Sequence, residues 1–395
     1  DQNPSKHIRA LHEALRRGDF RFAKQRGVLK NKKGKTPRPI VISPVRNRIV
    51  QRAILDVLQS DKPAIAKRLG DIPKVLATPT SVGGIPGRGS PEAVELIQQA
   101  IRRGATHHLR SDIQNFFMNI RKRDVLDYLM AQTGDLAFVQ FVEDALAVEL
   151  LNAEERKVRD WISLFPTGDV GVPQGSSLSA LCANIVLRDF DAKFNSRGLT
   201  TVRYIDDFVM LGTSERSLQR AWNSVVAHLN RLGLQAHSPF PGSAKASAGL
   251  TRDGFDFLSF RFHDGKISPS RKAKQDLLKA IEFEAKTARG VIQSTANAPR
   301  RAEPRLVQTL ASIDRRIRGW GDAFKDVDQR LEFTQLDEQV RKIVDRLVKS
   351  YFGGGRGVET PAMMRSLGVA LLADTPQKQV TSNPALENHI KTSIT

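Results

Sequence analysis

The chain has 395 residues, 40% of them hydrophobic, and its 62 Lys and Arg outnumber 42 Asp and Glu to give a formal net charge of +20. That apolar fraction excludes a wholly disordered chain, and no apolar run reaches the ~18–20 residues of a membrane span. The charge points to a polyanionic partner, nucleic acid before an anionic membrane. The single cysteine, Cys182, excludes an internal disulfide, and no Cys/His group has zinc spacing, which suits a reducing cytoplasm.

The opening DQNPSKHIRALHEALRRGDF is amphipathic and basic, without the apolar core of a signal peptide. Residues 1–50 hold 14 Lys and Arg against 3 Asp and Glu, a net of +11 and more than half of the surplus. KNKKGKTPRPIVISPVRNRIVQRAI predicts a basic Gly/Pro loop, then a strand, then a helix. Ile40, Ile42, Val45, Ile49 and Val50 alternate with its basic residues, so the segment packs while presenting its charge, to phosphates or simply to solvent. Gly83, Gly84, Gly87 and Gly89 around Arg88 suit a loop against a phosphate or a structural turn, without the βαβ context of a dinucleotide fingerprint. Ser90–Pro91–Glu92 opens a helix, with a cap followed by proline.

Residues 108–113 read as a strand and 121–130 as a helix. GVPQGSSLSALCANIVL is a loop running into an apolar helix. TVRYIDDFVML is a hairpin with Asp206–Asp207 at its tip. A helix over 214–232 ends at Gly233. Residues 254–270 form a second hairpin, turning at Asp264–Gly265. From residue 271 the pattern is long and helical, and residues 266–350 carry 19 Lys and Arg against 12 Asp and Glu, a basic lobe of +7. GGGRG at 353–357 is a flexible break, and no structure is expected over the last ~20 residues.

Asp112 ends a strand, and Asp206–Asp207 sits at a tight tip. Adjacent acids repel, and Asp is a poor strand former, so a fold tolerates them most easily near something positive. Three carboxylates brought together suit two Mg²⁺ ions, and such a pair can activate a 3′-hydroxyl and stabilise leaving pyrophosphate. Taken alone, the dipeptide reads more simply as a solvated turn.

The motifs do not stand alone. SDIQNFF, GVPQGSSLS, YIDD and FLSF, in that order, resemble the palm of reverse transcriptases. KTPRPIVISPVRNRIVQRAI and SVGGIPGRGSPEAVELI are similar to the fingers of the bacterial group II intron-like lineage, and IRGWGDAF and FTQLDEQVRKIV to its thumb-to-maturase region, so the resemblance spans about residues 30–345. It implies an α+β right-hand polymerase with an antiparallel palm sheet. Its parts would be a basic segment and fingers over 1–105, a palm over 106–265 with fingers helices at 121–165, a helical thumb over 266–350, and a tail over 351–395. It further implies that Asp112 and Asp206 ligate two Mg²⁺ ions, with Asp207 completing the acidic cluster and the Ile113 carbonyl as a further ligand. Phe117 would face the ribose 2′-position, Gln174 and Gly175 the incoming nucleotide, and Arg38 the triphosphate, with Lys33 or its neighbours Lys32 or Lys35 near it. Tyr204, Phe257, Leu258 and Arg88 would meet primer or template, although Ser259 stands where the family usually has Gly. The lysine expected as general acid for pyrophosphate is replaced by Ser238–Pro239–Phe240, and Lys245 lies several residues later. Phe117 also reads as a core aromatic, and Gln174 as a cap for the following helix.

The resemblance implies dNTP substrates, an RNA/DNA duplex and a structured non-coding RNA template. The chain lacks an HNH-like endonuclease and the retron signatures, which points to the stand-alone unknown-group enzymes associated with antiphage defence. Two other functions stay open, an intron maturase and an RNA-dependent RNA polymerase. The three aspartates disfavour a pure RNA-binding protein, and Phe117 disfavours RNA synthesis.

Overall fold

Phe208, Val209, Met210 and Leu211 are all buried, so the strand that carries them lies inside a sheet covered on both faces. The computed structural model describes residues 3–32, 35–195, 198–243, 245–294, 299–328, 331–352, 354 and 357–376. Its strands are β1 (Arg26–Lys32), β2 (Lys35–Ile42), β3 (His107–Asp112), β4 (Thr200–Tyr204), β5 (Asp207–Gly212), β6 (Ser247–Leu250), β7 (Phe255–Phe257), β8 (Phe260–His263) and β9 (Lys266–Pro269). The chain divides into two units, 1–249 and 250–395.

In the first unit the sheet order is β4-β5-β3-β6, with β5 antiparallel to both neighbours. Leu109, Phe208 and Met210 from the sheet share one core with Ile185, Phe190, Val225 and Leu229 from helices Ser179–Val186, Arg188–Phe194 and Glu215–Arg231. The sequence places the last of these well. Ser214 caps it through the Ser217 amide, and its buried Leu218, Trp222, Val225 and Leu229 recur at helical spacing.

Four expectations need correction. Residues 26–32 and 35–42, within and beside the expected basic loop, pair as antiparallel strands β1 and β2, the first of which the sequence did not reveal. That pairing turns Val41 into a small core with Val148, Val158 and Phe165, while Ile42, Val45 and Ile49, expected to pack, are exposed. The helix over 90–102 is capped at Gly89, whose amide donates to the Glu92 carboxylate at 2.7 Å, so Ser90 is its first residue and not its cap. The tip of the β4–β5 hairpin is Ile205–Asp206, and Asp207 already belongs to β5.

In the second unit the expected hairpin is a three-stranded meander, β7-β8-β9. Its first turn holds Leu258 at φ +49° and Ser259 at φ +74°, its second Asp264 at +48° and Gly265 at +71°. Two successive left-handed residues fit the twist of a two-residue hairpin, and non-glycine residues pay in backbone strain for that fit. Helices Arg271–Ser294, Pro299–Ala323 and Leu331–Tyr351 follow. Phe333, Leu336, Val340, Ile343, Val344 and Leu347 form the buried stripe of the last.

A strap over 358–376, which periodicity did not predict, folds onto these helices. It carries the short helix Pro361–Ser366 and a 3₁₀ turn at Leu372–Asp374. The Asp337 carboxylate accepts the amides of Leu372 at 2.7 Å and Ala373 at 2.9 Å, and Asp314 accepts that of Ala370 at 2.9 Å. Asp337→Ala removes two charge-assisted bonds and leaves the strap amides unpaired, so we expect about 2 kcal/mol of lost stability. The check is melting together with limited proteolysis, which should cut the variant first within 358–376.

Candidate active site

The antiparallel register of β3 and β5 sets Asp112 opposite Asp207. The register of β4 and β5 sets Tyr204 opposite the same residue. The tip residue Ile205 is held at φ +60°, a left-handed conformation that a β-branched residue rarely adopts. The Ile113 amide donates to the Asp206 carbonyl at 3.0 Å, which ties the tip to the end of β3. The three aspartates, separated by about ninety residues of sequence, therefore meet at one end of one sheet.

Their surroundings differ. Burial raises the Asp206 pKa, Asp112 raises it further, and Lys245 and Arg38 act against this. Burial pushes Asp207 up to about 7 against the pull of Arg110, and the charges of Asp112 and Asp206 add to the rise. Asp112 is engaged already: the Lys245 ammonium pairs with its Oδ2, and His237 Nε2 lies 3.9 Å from the same oxygen. The His237 amide donates to the Asp112 carbonyl at 3.0 Å. Among the described residues, no group of three or more His, Cys, Asp or Glu side chains is gathered as a metal site. The Lys245 ammonium occupies the Asp112 carboxylate. The donors still fit a hard divalent cation: they are carboxylate oxygens, and the ionised forms of Asp206 and Asp207 are penalised by burial and by neighbouring carboxylates, which a cation relieves.

A second loop lies beside the hairpin. The Gly171 amide donates to the Ile120 carbonyl and the Val172 amide to the Phe117 carbonyl, both at 2.7 Å, and the Val41 amide donates to the Gln174 carbonyl at 3.1 Å. Residues 171–174 thus bridge the segment after β3 and strand β2. Gly175 has φ +119°, and a Cβ there would stand 2.9 Å from the Val41 carbonyl, so glycine is required twice over. Arg38 on β2 donates from Nε to the Gln174 side-chain oxygen. Lys33, expected beside it, lies outside the described residues. Phe117 is half-buried, with its ring 5.8 Å from that of the buried Phe116.

The structure thus brings Asp112, Ile113, Asp206, Asp207 and Tyr204 to one sheet end, and links Phe117, Gln174, Gly175 and Arg38 through one loop. It places Arg88 otherwise. The Arg88 guanidinium donates to the carbonyls of Thr78, of Ser81 at 3.3 Å and of Ala77 at 3.3 Å, all within its own loop. A Cβ on Gly83 would stand 2.6 Å from the Ile205 amide nitrogen, so this glycine-rich segment is a structural turn packed under the hairpin tip. Phe257 and Leu258 lie on the β7–β8 turn of the second unit, Phe257 buried and Leu258 half-buried. Two participants escaped the sequence. Lys245 reaches Asp112 from beyond the motif in which a lysine was expected. Buried Lys122 donates to the carbonyls of Pro166 at 3.2 Å and Gly168 at 2.6 Å, anchoring the loop that leads to Gln174. Nothing in a lone lysine inside a helix signals that role. Cys182 is buried, its thiol pushed up to about 12 by burial.

The family model "Reverse transcriptase (RNA-dependent DNA polymerase)" matches residues 30–262. Among curated proteins, the chain is 27% identical over 184 residues to the "Uncharacterized 91 kDa protein in cob intron" of Schizosaccharomyces pombe, covering 47% of this chain and 20% of that one. The chain thus spans about a fifth of the curated relative it matches. Among solved structures, telomerase from Candida albicans with a fragment of telomeric RNA is similar at 13% identity, over 99% of this chain and 71% of that one, with a TM-score of 0.38. A partial Cas6-RT-Cas1–Cas2 complex is similar at 22% identity, over 58% of this chain and 38% of that one, with a TM-score of 0.30. No helix among the described residues is long and apolar enough to cross a membrane.

The raised pKa of Asp207 has a consequence for stability. Between the ordinary aspartate value of 3.8 and about 7 the folded state holds a proton that the unfolded state has released. Stability from this group is therefore full at low pH and is lost as pH rises through about 7. We expect the metal-free protein to lose melting temperature from pH 5 to pH 8, and Asp207→Asn to show a smaller loss. Equal slopes in the two proteins would contradict the assignment.

Proposed function

Because the chain belongs to the reverse transcriptase family, we propose that it is an RNA-directed DNA polymerase whose site is the sheet end at Asp112, Asp206 and Asp207. The observation that carries this reading is the register, which sets Asp112 opposite Asp207 and ties Ile113 to Asp206. In this reading Asp112 and Asp206 hold Mg²⁺, with the Ile113 carbonyl beside them and Asp207 adding negative charge. Bound Mg²⁺ would supply Lewis-acid activation of a primer 3′-hydroxyl and charge neutralisation at the triphosphate. Lys245 must first leave Asp112.

The chain's own residues do the rest by position and charge. Arg38, held by Gln174, offers its remaining guanidinium donors to phosphate oxygens, which a planar fork suits. Gln174 and Gly175 form a floor tied to β2, and Phe117 sets a rigid ring beside the sugar. Tyr204 is offered to the primer strand, Phe257 and Leu258 of the second unit keep their expected primer role, and Arg88, expected at primer or template, holds the loop before Gly83 through the carbonyls of Thr78, Ser81 and Ala77. The +11 of residues 1–50 and the +7 of residues 266–350 suit the phosphates of a structured RNA and of an RNA/DNA duplex. An antiphage setting is suggested by the sequence resemblance alone. A second reading, an intron-encoded maturase, is favoured by the likeness to a protein of the cob intron.

Two variants test the reading. Asp206→Ala/Asp207→Ala should fold but lose Mg²⁺-dependent dNTP incorporation to background, and near-normal incorporation would overturn the assignment. Phe117→Ala should accept ribonucleotides better, since a 2′-hydroxyl overpacked against the ring costs ~1–3 kcal/mol, or roughly ten- to more than hundredfold in selectivity. If Phe117 serves only the core, dNTP and rNTP use will fall together with the melting temperature, at an unchanged ratio.

A further inference from the structure

Beneath the hairpin tip lies a buried charge that the proposed chemistry does not use. Arg203, on β4, has a side chain 0% exposed. Its Nε and Nη2 fork onto Asp191 at 2.7 and 2.5 Å. Nη2 also meets Ser81 Oγ at 2.8 Å and Asn184 Oδ1 at 3.1 Å. Nη1 donates to the Ile205 carbonyl at 2.8 Å. Asn184 Nδ2 donates in turn to the Gly83 carbonyl at 3.1 Å, and Gly83 abuts the Ile205 amide. The segment before Gly83 is pinned to the same strand: the Arg203 amide donates to the Thr80 carbonyl, and the Val82 amide to the Arg203 carbonyl, each at 2.9 Å.

Two of these contacts, the Arg203 bond to the carbonyl and the close approach of Gly83 to the amide, meet at Ile205, the residue that precedes Asp206 and carries the left-handed backbone. Strain of that kind persists only where the surroundings over-determine it. A buried ion pair is a poor source of stability, since apolar side chains of similar volume often serve as well or better. What apolar side chains cannot do is aim an N–H at the Ile205 carbonyl. We propose that Arg203 and Asp191 form a positioning pair: Asp191 orients the guanidinium, the guanidinium clamps the Ile205 carbonyl, and the clamped turn fixes Asp206 for a divalent cation. This rests on the polymerase reading of the carboxylates.

Arg203→Ala alone leaves Asp191 buried without its partner and unfolds the region for trivial reasons. The informative variant is Arg203→Met/Asp191→Leu, which removes both charges and keeps the volume. The readouts are melting temperature, Mn²⁺ affinity of the free protein by electron paramagnetic resonance, and kcat and KM for a dNTP. Wild type and Asp206→Ala serve as references. The expected result is a melting temperature within a few degrees of wild type, Mn²⁺ affinity weakened about tenfold or more, kcat reduced and KM for the dNTP little changed. Should the double variant not fold, Arg203→Lys keeps the charge opposite Asp191 without the fork and should show the same loss of affinity. Wild-type Mn²⁺ affinity and kcat in either folded variant would overturn the positioning role. Wild type binding Mn²⁺ no better than Asp206→Ala would instead overturn the reading of the carboxylates, and this inference with it.

Discussion

A β-branched residue held at φ +60° immediately before a half-buried aspartate is the constraint on which the site depends. Ile205 would relax if left to itself, and the tip of the hairpin would move with it. Three features prevent this. The Ile113 amide holds the Asp206 carbonyl on one side, and Arg203 holds the Ile205 carbonyl on the other. Gly83 leaves no room beneath, because any side chain there would strike the Ile205 backbone. The sheet register supplies the fourth element by placing Asp112 across from Asp207.

The electrostatics follow from that geometry. Carboxylates buried at the end of a sheet repel each other and lose solvation, which raises the pKa of both Asp206 and Asp207. Lys245 pairs with Asp112 and supplies one compensating charge from a flexible, exposed side chain. An ammonium on a long stem is a suitable partner for a carboxylate that must later accept another cation, since it can leave without disturbing the fold. Arg203 and Asp191, by contrast, are fully enclosed and compensate each other, so their charges contribute direction more than field.

Much of this was legible in the sequence, for physical reasons. Helix 215–231 announces itself by a serine cap and a regular apolar stripe, and β3 and β5 by short β-prone runs, the first ending in Asp112 and the second beginning at Asp207. The order of the aspartate, Gln174 and hairpin motifs carried the family resemblance. What failed depends on partners far away in the chain. Hairpin β1–β2 was half hidden because its first strand, RGVLKNK, lacks alternation, and the outward turn of Ile42 is set by pairing rather than by pattern. Asp207 was placed in the turn because DD looks like a tip, whereas the left-handed Ile205 begins the turn one residue earlier. Arg203 read as one more basic residue among 62 Lys and Arg, and its burial becomes visible only when Asp191, Asn184 and Ser81 are brought together. The strap over 358–376 is held by amides capping Asp337 and Asp314, an arrangement with no periodic signature.

The central claim is that these carboxylates serve the templated addition of deoxynucleotides on RNA. The most direct measurement is single-nucleotide extension by the wild-type protein of a DNA primer annealed to an RNA template of known sequence, with each dNTP offered singly in Mg²⁺. The account predicts addition of the one deoxynucleotide complementary to the next template base, and no addition when the divalent cation is chelated. Extension indifferent to the template base, extension that persists under chelation, or a folded protein that extends nothing would contradict it.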